Sequence, residues 1–171
     1  MASSSSVGDP SATISVRAYH VLQIDGYSTT SDALGNFQCI TSLPFHEGSY
    51  TWFICFYPRG TGPEDTDFIS LFLVLADTVD EVVTAQATIS LLNQDRNSVL
   101  SYSHTTSMVD FSELGPSCGV GYNKFIKRED FEQSKFLKND CFAIRVDIHI
   151  VKEVPYIIHD GSTIRYAPAS P

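Results

Sequence analysis

The side chains able to do acid–base or metal chemistry are scattered along this chain. Histidines stand at positions 20, 46, 104, 149 and 159, and none has a second histidine or a cysteine at the spacing of a zinc site. The acidic run at residues 64–67 could bind a hard cation, but it lacks the glycine-centred loop of a calcium site. We therefore expect surface or hydrogen-bonded histidines, a solvated acidic turn, and neither metal nor cofactor.

Nucleophile and phosphate-binding motifs are also missing from the sequence. No serine lies in the Gly-x-Ser-x-Gly turn that would activate it for attack. Gly119 and Gly121 could begin a phosphate loop, but no third glycine opens a long helix and no Lys-Ser or Lys-Thr pair follows. An enzyme needs several polar side chains that converge on one point, so we predict that this protein is not an enzyme.

The densest basic cluster follows these glycines and consists of Lys124, Lys127 and Arg128. Such a cluster could meet an acidic or phosphorylated peptide. It could equally form a solvated edge, with Glu129 and Asp130 neutralising it locally. The sequence leaves both interpretations open.

The overall charge of the chain excludes nucleic acid as an expected partner. The net charge is -9 and the pI is near 4.8, whereas nucleic-acid binding needs a surplus of Lys and Arg on one face. No window approaches the roughly 18 apolar residues of a membrane helix, so no membrane partner is expected.

The expected location follows from the N-terminus and the cysteines. The N-terminus has neither the basic start nor the apolar core of a secretory signal. Cys39, Cys55, Cys118 and Cys141 form no C-x-x-C pair, and buried free thiols suit a reducing compartment. We expect a cytoplasmic or nuclear protein, or one found in both.

Alternating apolar residues predict that the chain is built mainly from β-strands. The pattern is clearest at residues 140–151, where every second side chain from Phe142 to Ile150 is apolar. Residues 49–57 are apolar on both faces, so we expect Trp52 to be buried and the strand to be covered twice. The continuous apolar run at 68–76 indicates a buried strand. Further strands are predicted at residues 15–24, 37–45, 82–92 and 99–104.

Little helix is expected between these strands. A polar loop follows the turn at Asp25 as far as residue 36, and residues 105–119 form an irregular stretch. Residues 128–137 are the one helix candidate. The pattern predicts an all-β protein, an antiparallel β-sandwich with one short helix. Residues 1–13 are expected to be a disordered Ser-rich leader, 14–152 the folded domain, and 153–171 a tail or linker.

Several spaced segments resemble one family, the MATH domain (meprin and TRAF homology, also called TRAF-like). Residues 52–60 resemble its W-x-I-x-x-Y-P-x-G segment, and residues 67–73 its buried D-x-[IL]-S-[LV]-[YF]-L strand. Residues 121–126 resemble the G-[FY]-x-x-F-[IL] signature, and residues 139–140 the start of the closing strand. The resemblance covers roughly residues 18–152 and is closest to the MATH half of plant MATH–BTB proteins, which are similar to the speckle-type POZ protein.

The resemblance implies a sandwich of about eight antiparallel strands and a peptide-binding function. In this family a shallow groove takes extended Ser/Thr-rich peptide segments of substrate proteins, and a BTB domain recruits a cullin-based ubiquitin ligase. Gly121 would let the backbone of the peptide approach closely. The groove positions implied for this chain are Phe72, Ala87, Phe111, Val120, Gly121, Tyr122 and Asn123.

Three of these positions depart from the family pattern. Val120 stands where a Trp is usual, Asn123 where a Lys is usual, and Ala87 where better-studied relatives have a large aromatic residue. Loss of two aromatic side chains would remove on the order of a few kcal/mol of affinity, so we expect weak binding. No BTB segment follows within the 171 residues, so a product of this length would not recruit a ligase through BTB.

We predict a non-catalytic peptide-binding MATH domain, a substrate-recognition module linked to cullin-based ubiquitin ligase adaptors of the MATH–BTB type. The alternative is a stand-alone MATH protein whose degenerate groove leaves it a competitor or oligomerisation partner of MATH–BTB proteins. A carbohydrate-binding sandwich is a third option that rests on fold type alone.

Overall fold

The computed structural model describes residues 11–115 and 119–155, and these form a sandwich of two antiparallel sheets. The strands are β1 (Ser11–Asp25), β2 (Ile40–Thr41), β3 (Phe45–Glu47), β4 (Tyr50–Tyr57), β5 (Phe68–Leu75), β6 (Thr84–Leu92), β7 (Ser98–Thr105), β8 (Val109–Asp110), β9 (Gly119–Lys127) and β10 (Cys141–Pro155). The helices are α1 (Tyr27–Ala33), α2 (Phe111–Leu114) and α3 (Arg128–Glu132). The predicted fold class, an antiparallel β-sandwich, is confirmed.

Each sheet has five strands. In the first, here called sheet I, the order is β1-β10-β6-β7, and β8 also pairs with β6. In the second, sheet II, the order is β2-β4-β5-β9, and β3 also pairs with β4. Every strand pairing is antiparallel. As a result, β7 and β9 are edge strands, one in each sheet.

The core lies between the sheets and is built from the alternation seen in the sequence. On β10 the side chains from Phe142 to Ile150 at every second position are buried, as predicted. Trp52 of β4 has 0% of its surface exposed, and its ring packs edge-on against Phe111 at 5.1 Å between centroids. Its Nε1 donates a hydrogen bond to the carbonyl of Glu47 at 3.0 Å, so the indole is both packed and satisfied.

The prediction that β4 is covered on both faces is wrong. Trp52 and Phe56 are fully buried on the core face, whereas Phe53 and Tyr57 on the other face are half-buried. The outer face of sheet II is therefore apolar but open to solvent at these side chains. This open apolar face adjoins the candidate site described below.

The helices differ from the sequence prediction in number and length. The polar stretch after Asp25 contains α1, which was predicted as loop, and the irregular stretch contains α2. The predicted helix at residues 128–137 ends at Glu132, and its Phe131 is buried in the core. None of these described helices is long or apolar enough to cross a membrane.

α1 forms because a distant residue caps it. The carboxylate of Asp140 accepts hydrogen bonds from the backbone N–H of Ser28 at 2.9 Å and from its hydroxyl at 2.7 Å. The Asp140 carbonyl also accepts from the N–H groups of Gly26 and Tyr27. These bonds satisfy the donors that a helix leaves open in its first turn. A contact between residues so far apart in sequence is invisible to local pattern.

The boundaries of several segments also differ. β1 begins at Ser11 instead of Ser15, and β10 continues to Pro155, so both reach beyond the predicted ends of the domain at 14 and 152. The predicted strand at 37–45 is divided between β2 and β3, and β3 extends to Glu47, beyond the predicted end. The predicted leader before residue 11 and the tail after residue 155 lie outside the described residues.

The cysteines only partly match the expectation of burial. Cys55 is buried, whereas Cys39 and Cys141 are half-buried, and all three are free thiols. Cys118 lies outside the described residues. Cys55 and Cys141 lie on strands and Cys39 directly precedes β2, and the described cysteines act as small side chains, not as cross-links.

Candidate peptide-binding edge

β9 is an edge strand whose two sides face different surroundings. Val120 and Tyr122 lie opposite Leu73 and Leu71 of β5, which are fully buried, so these two side chains face the space between the sheets. Gly121 lies opposite Phe72 on the outer face of sheet II. Among the described residues, no strand pairs with the other edge of β9. Its outward backbone groups are therefore open to an added strand.

An irregularity in the ladder exposes the middle of β9. The register between β5 and β9 shifts between Ile69 and Leu71, and the Ser70 hydroxyl donates a hydrogen bond to the Asn123 carbonyl at 2.5 Å. The extra length on β9 leaves Asn123 and Lys124 exposed. Beyond this bulge the strand returns to the core. A bulge of this kind turns side chains out of the regular alternation.

Gly121 allows β9 to approach β5 closely. A Cβ at this position would lie 2.7 Å from the Cα of Phe72 and closer still to the carbonyl oxygen of Leu71. We expected Gly121 to leave room for the backbone of a bound peptide. The structure gives a different reason for this glycine. The missing side chain serves the pairing of β5 with β9.

Tyr122 is held at the edge of the sandwich by two aromatic neighbours. Its ring lies 5.3 Å from the His104 ring and 6.5 Å from the Phe125 ring, between centroids. Tyr122 is half-buried, so one side of the ring is supported and the other is open to solvent. A supported, half-exposed aromatic ring is well suited to anchor a ligand.

His104 is a site residue that sequence reasoning did not find. It lies on β7 opposite the fully buried Ile89 of β6, so it faces inward at the edge of sheet I. Its ring packs edge-on against Phe125 at 5.2 Å. β7 and β9 thus meet through His104 and Tyr122. Tyr102 and His104 are two residues apart on β7, and this alternation indicates that both side chains face inward. The contact of His104 with Tyr122 of the other sheet cannot be predicted from any local pattern in the sequence.

Asn123 already has a partner within the chain. Its side-chain Nδ2 donates a hydrogen bond to Oδ2 of Asp65 at 3.2 Å, and the Thr61 hydroxyl donates to the same oxygen at 3.1 Å. Asp65 is only 5% exposed. This network fixes the loop before β5 against β9, and it orients the Asn123 side chain.

Phe72 lies in the centre of the open apolar face of sheet II. It is half-buried, its ring meets that of Tyr57 at 6.1 Å, and it lies opposite Cys55 on β4. Burial, with a smaller contribution from the Cys39 thiol, raises the pKa of Cys55 to about 12. The thiol beside Phe72 is therefore neutral at physiological pH, and the surface it helps to form is apolar.

The structure brings some of the predicted site residues together and separates others. Phe72, Gly121, Tyr122 and Asn123 lie on β5 and β9 around one sheet edge. Val120 is buried in the core beside them. Ala87 of β6 is 0% exposed and lies on the core face of sheet I, and Phe111 is buried against Trp52. The peptide-binding role of all seven residues remains a prediction.

No metal-binding site is found in the part of the chain that the structure describes. Within residues 11–115 and 119–155, no three His, Cys, Asp or Glu side chains come together as metal ligands would. The side chains around β9 are mainly aromatic, aliphatic or amide. Such a surface can pack and hydrogen-bond a ligand.

Two antiparallel sheets with these edges define a β-sandwich of the TRAF-like class. TRAF5 from Notothenia coriiceps has this fold, with a TM-score of 0.57 and 20% sequence identity over 83% of this chain and 75% of that chain. The chain belongs to the MATH domain family, because the family model described as MATH domain matches residues 19–148. The resemblance found in the sequence is thereby confirmed.

The sequence relatives of this chain include plant proteins that contain a further domain. It is 34% identical over 149 residues to BTB/POZ and MATH domain-containing protein 4 of Arabidopsis thaliana, covering 82% of this chain and 31% of that protein. It is 34% identical over 146 residues to BTB/POZ and MATH domain-containing protein 3 of the same plant, covering 80% and 34%. The chain therefore spans about a third of the length of these relatives.

Proposed function

We propose that this chain is a non-catalytic interaction module that binds an extended peptide along the open edge of β9. The observation that carries the proposal is the position of β9 at the end of sheet II, with Tyr122 on one side and Phe72 on the other. An extended peptide can add to such an edge through main-chain hydrogen bonds, and pockets beside the edge then select its side chains.

The two aromatic anchors suit an added strand. Successive side chains of a strand point to opposite faces of a sheet. A peptide paired with β9 would place one set of side chains toward Tyr122 and His104, and the alternate set toward Phe72. Both aromatic rings are half-exposed, so each can bury more surface when the peptide binds.

Affinity is expected to be modest. Val120 and Ala87 are small or medium-sized and already buried, so neither adds an exposed aromatic surface to the site. The remaining anchors are Tyr122 and Phe72. We expect dissociation constants in the micromolar range or weaker, about -8 kcal/mol of binding free energy or less favourable.

The cellular role that fits this binding is substrate recognition. We infer that the module selects Ser/Thr-rich segments of substrate proteins for a cullin-based ubiquitin ligase adaptor of the MATH–BTB type. Membership of the MATH family and the plant relatives that contain BTB/POZ domains support this role.

A peptide array followed by titration tests the proposal. Ser/Thr-rich peptides are screened, and hits are titrated into the wild type and Tyr122→Ala. Tyr19→Ala is the matched control, because Tyr19 is 58% exposed on β1 of sheet I, away from β9. Tyr122→Ala should lose at least about 1 kcal/mol of binding free energy with its fold intact, and Tyr19→Ala should bind as the wild type does.

Two outcomes would contradict the proposal. Equal affinity in the wild type and Tyr122→Ala would exclude the β9 edge as the binding surface. No peptide binding by any of the three proteins, together with co-purification of a full-length MATH–BTB protein, would favour the alternative of a competitor or oligomerisation partner.

A further inference from the structure

The strands around the candidate edge carry no negative charge. β5, β6 and β7 contain no Asp, Glu, Lys or Arg, and the charged residues of β9 are Lys124 and Lys127. The chain as a whole has a net charge of -9. The candidate site is thus neutral to basic on an acidic protein, so it differs in charge from the surface as a whole.

One of the two lysines has carboxylates beside it and the other does not. Lys127 lines a small surface depression with Arg128 and the carboxylates of Asp67, Glu129 and Glu132, so three carboxylates lie near these two positive charges, although Lys127 forms no ion pair with the described residues. Lys124 lies over the ring of Phe68, with Nζ 5.6 Å from the centroid, and forms no ion pair with the described residues. Lys124 is therefore the lysine of β9 whose charge is open to a ligand.

His104 adds a second polar group that faces the same edge. Its ring is half-buried against Tyr122 and Phe125, yet neither ring nitrogen has a hydrogen-bond partner among the described residues. No ring nitrogen of a described side chain is buried without a partner, so those of His104 are accessible to solvent. A protonated imidazole in this position is a donor with no acceptor among the described residues.

Other ionisable groups near His104 do not supply that acceptor. β6, which packs behind His104, has no ionisable side chain, and β9 contributes Tyr122 and Lys124. On β7 itself the other ionisable group is Tyr102, whose ring packs against Phe136. Asp65, the carboxylate bonded to Asn123 of β9, is nearly buried and already accepts from Asn123 and Thr61.

We propose that the β9 edge prefers peptides with anionic side chains, which His104 would contact beside the Tyr122 anchor and Lys124 would contact beside Phe68. This inference rests on the proposed function and specifies its ligand class. A carboxylate of Asp or Glu and a phosphate on Ser or Thr share the required chemistry, because both accept charge-assisted hydrogen bonds.

A set of matched peptides tests the preference. One Tyr122-dependent array hit is synthesised with Ser, Asp or phosphoserine at each Ser position in turn, and each peptide is titrated at a single neutral pH, where phosphoserine carries most of its second negative charge. The Asp or phosphoserine form should bind about twofold to fivefold more tightly than the Ser form at one position. The two forms distinguish a carboxylate from a phosphate as the natural ligand.

Two variants assign the preference to His104. His104→Gln keeps a polar side chain of similar reach but cannot become charged, so it should lose much of the preference for the Asp or phosphoserine form. His149→Gln is the matched control, because His149 pairs with Arg17 and Gln86 on the outer face of sheet I, away from β9. The His149→Gln variant should bind each peptide with the same affinity as the wild type.

The outcomes separate this inference from the proposed function. Tyr122-dependent binding with equal affinity for the Ser, Asp and phosphoserine peptides would overturn the anionic preference and leave the β9 edge as the binding surface. A preference for the anionic forms that is unchanged in His104→Gln would also overturn the role of His104. Absence of any Tyr122-dependent binding would instead contradict the proposed function itself.

Discussion

Gly121 of β9 lies directly opposite Phe72 of β5, with no room for a side chain between the two strands. A Cβ on Gly121 would lie 2.7 Å from the Cα of Phe72, a distance that real Cβ atoms do not tolerate. The residue at the proposed peptide edge is thus fixed by the packing of sheet II. It follows that the edge strand and the apolar surface around Phe72 depend on each other.

Gly121→Ala should destabilise the protein through this contact. Backbone atoms of β5 cannot move aside as a flexible side chain could, so we expect a loss of about 1–3 kcal/mol in the free energy of unfolding. Urea unfolding measures the effect. Gly35→Ala is the control, because its Cβ would meet only the end of the Gln38 side chain at 3.4 Å. Equal stabilities of the two variants would show that β9 and β5 are not as close as described.

Trp52 should dominate the stability of the core. It is the single tryptophan of the chain, is 0% exposed and packs edge-on against Phe111. Its native fluorescence should be blue-shifted, and Trp52→Ala should lower the free energy of unfolding by roughly 3–5 kcal/mol. Leu100→Ala, at a site that is 91% exposed, should change it by less than about 0.5 kcal/mol. An unchanged melting temperature in Trp52→Ala would contradict the described core.

Asp140 should stabilise α1 from the other end of the chain. Asp140→Ala removes the two acceptors used by Ser28 and places alanine at a backbone φ of 62°. We expect a loss of about 1–2 kcal/mol in the free energy of unfolding. Asp140→Asn keeps one acceptor and tolerates the left-handed conformation, so it should lose less. Equal losses in the two variants would mean that the cap contributes nothing measurable.

Stability should fall at alkaline pH, in part because of Cys55. Its pKa is raised to about 12 in the folded protein, chiefly by burial, from the ordinary thiol value of 9.0. Above pH about 9 the unfolded chain binds fewer protons at this thiol than the folded protein does, so stability is full below that pH and declines up to about 12. Urea unfolding between these limits should show a shallower decline in Cys55→Ala than in the wild type. Parallel declines would exclude a contribution from this thiol.

Much of the fold follows from local pattern. The alternation on β10 and the apolar runs of β4 and β5 identify strands because every second side chain meets the same environment. α1 could not be found in this way. The sequence of α1 is polar, and a backbone N–H group at its N-terminus donates a hydrogen bond to Asp140. Asp140 comes late in the chain, directly before the last strand, β10. Propensity is a weak guide where a tertiary contact supplies the cap.

The candidate site was predictable only in part. Tyr122 and Phe72 follow from the family resemblance, and the register of β9 with β5 places both around one edge. The packing of His104 against Tyr122 joins the two sheets, so no spacing in the sequence reveals it. Ala87 and Phe111 hold groove positions by resemblance, yet both are buried in this chain. Side-chain size at neighbouring positions decides such details, and pattern alone does not specify them.

Amide hydrogen exchange on β9 tests the central claim most directly. The protein is exchanged alone and with a saturating array-selected peptide, in the wild type and in Tyr122→Ala. If a peptide pairs with the open edge, outward amides of β9 should become protected in the wild type, and those of β1, at the far edge of sheet I, should not. Tyr122→Ala should show weaker protection at the same peptide concentration. Peptide binding that leaves the amides of β9 unprotected would contradict this account.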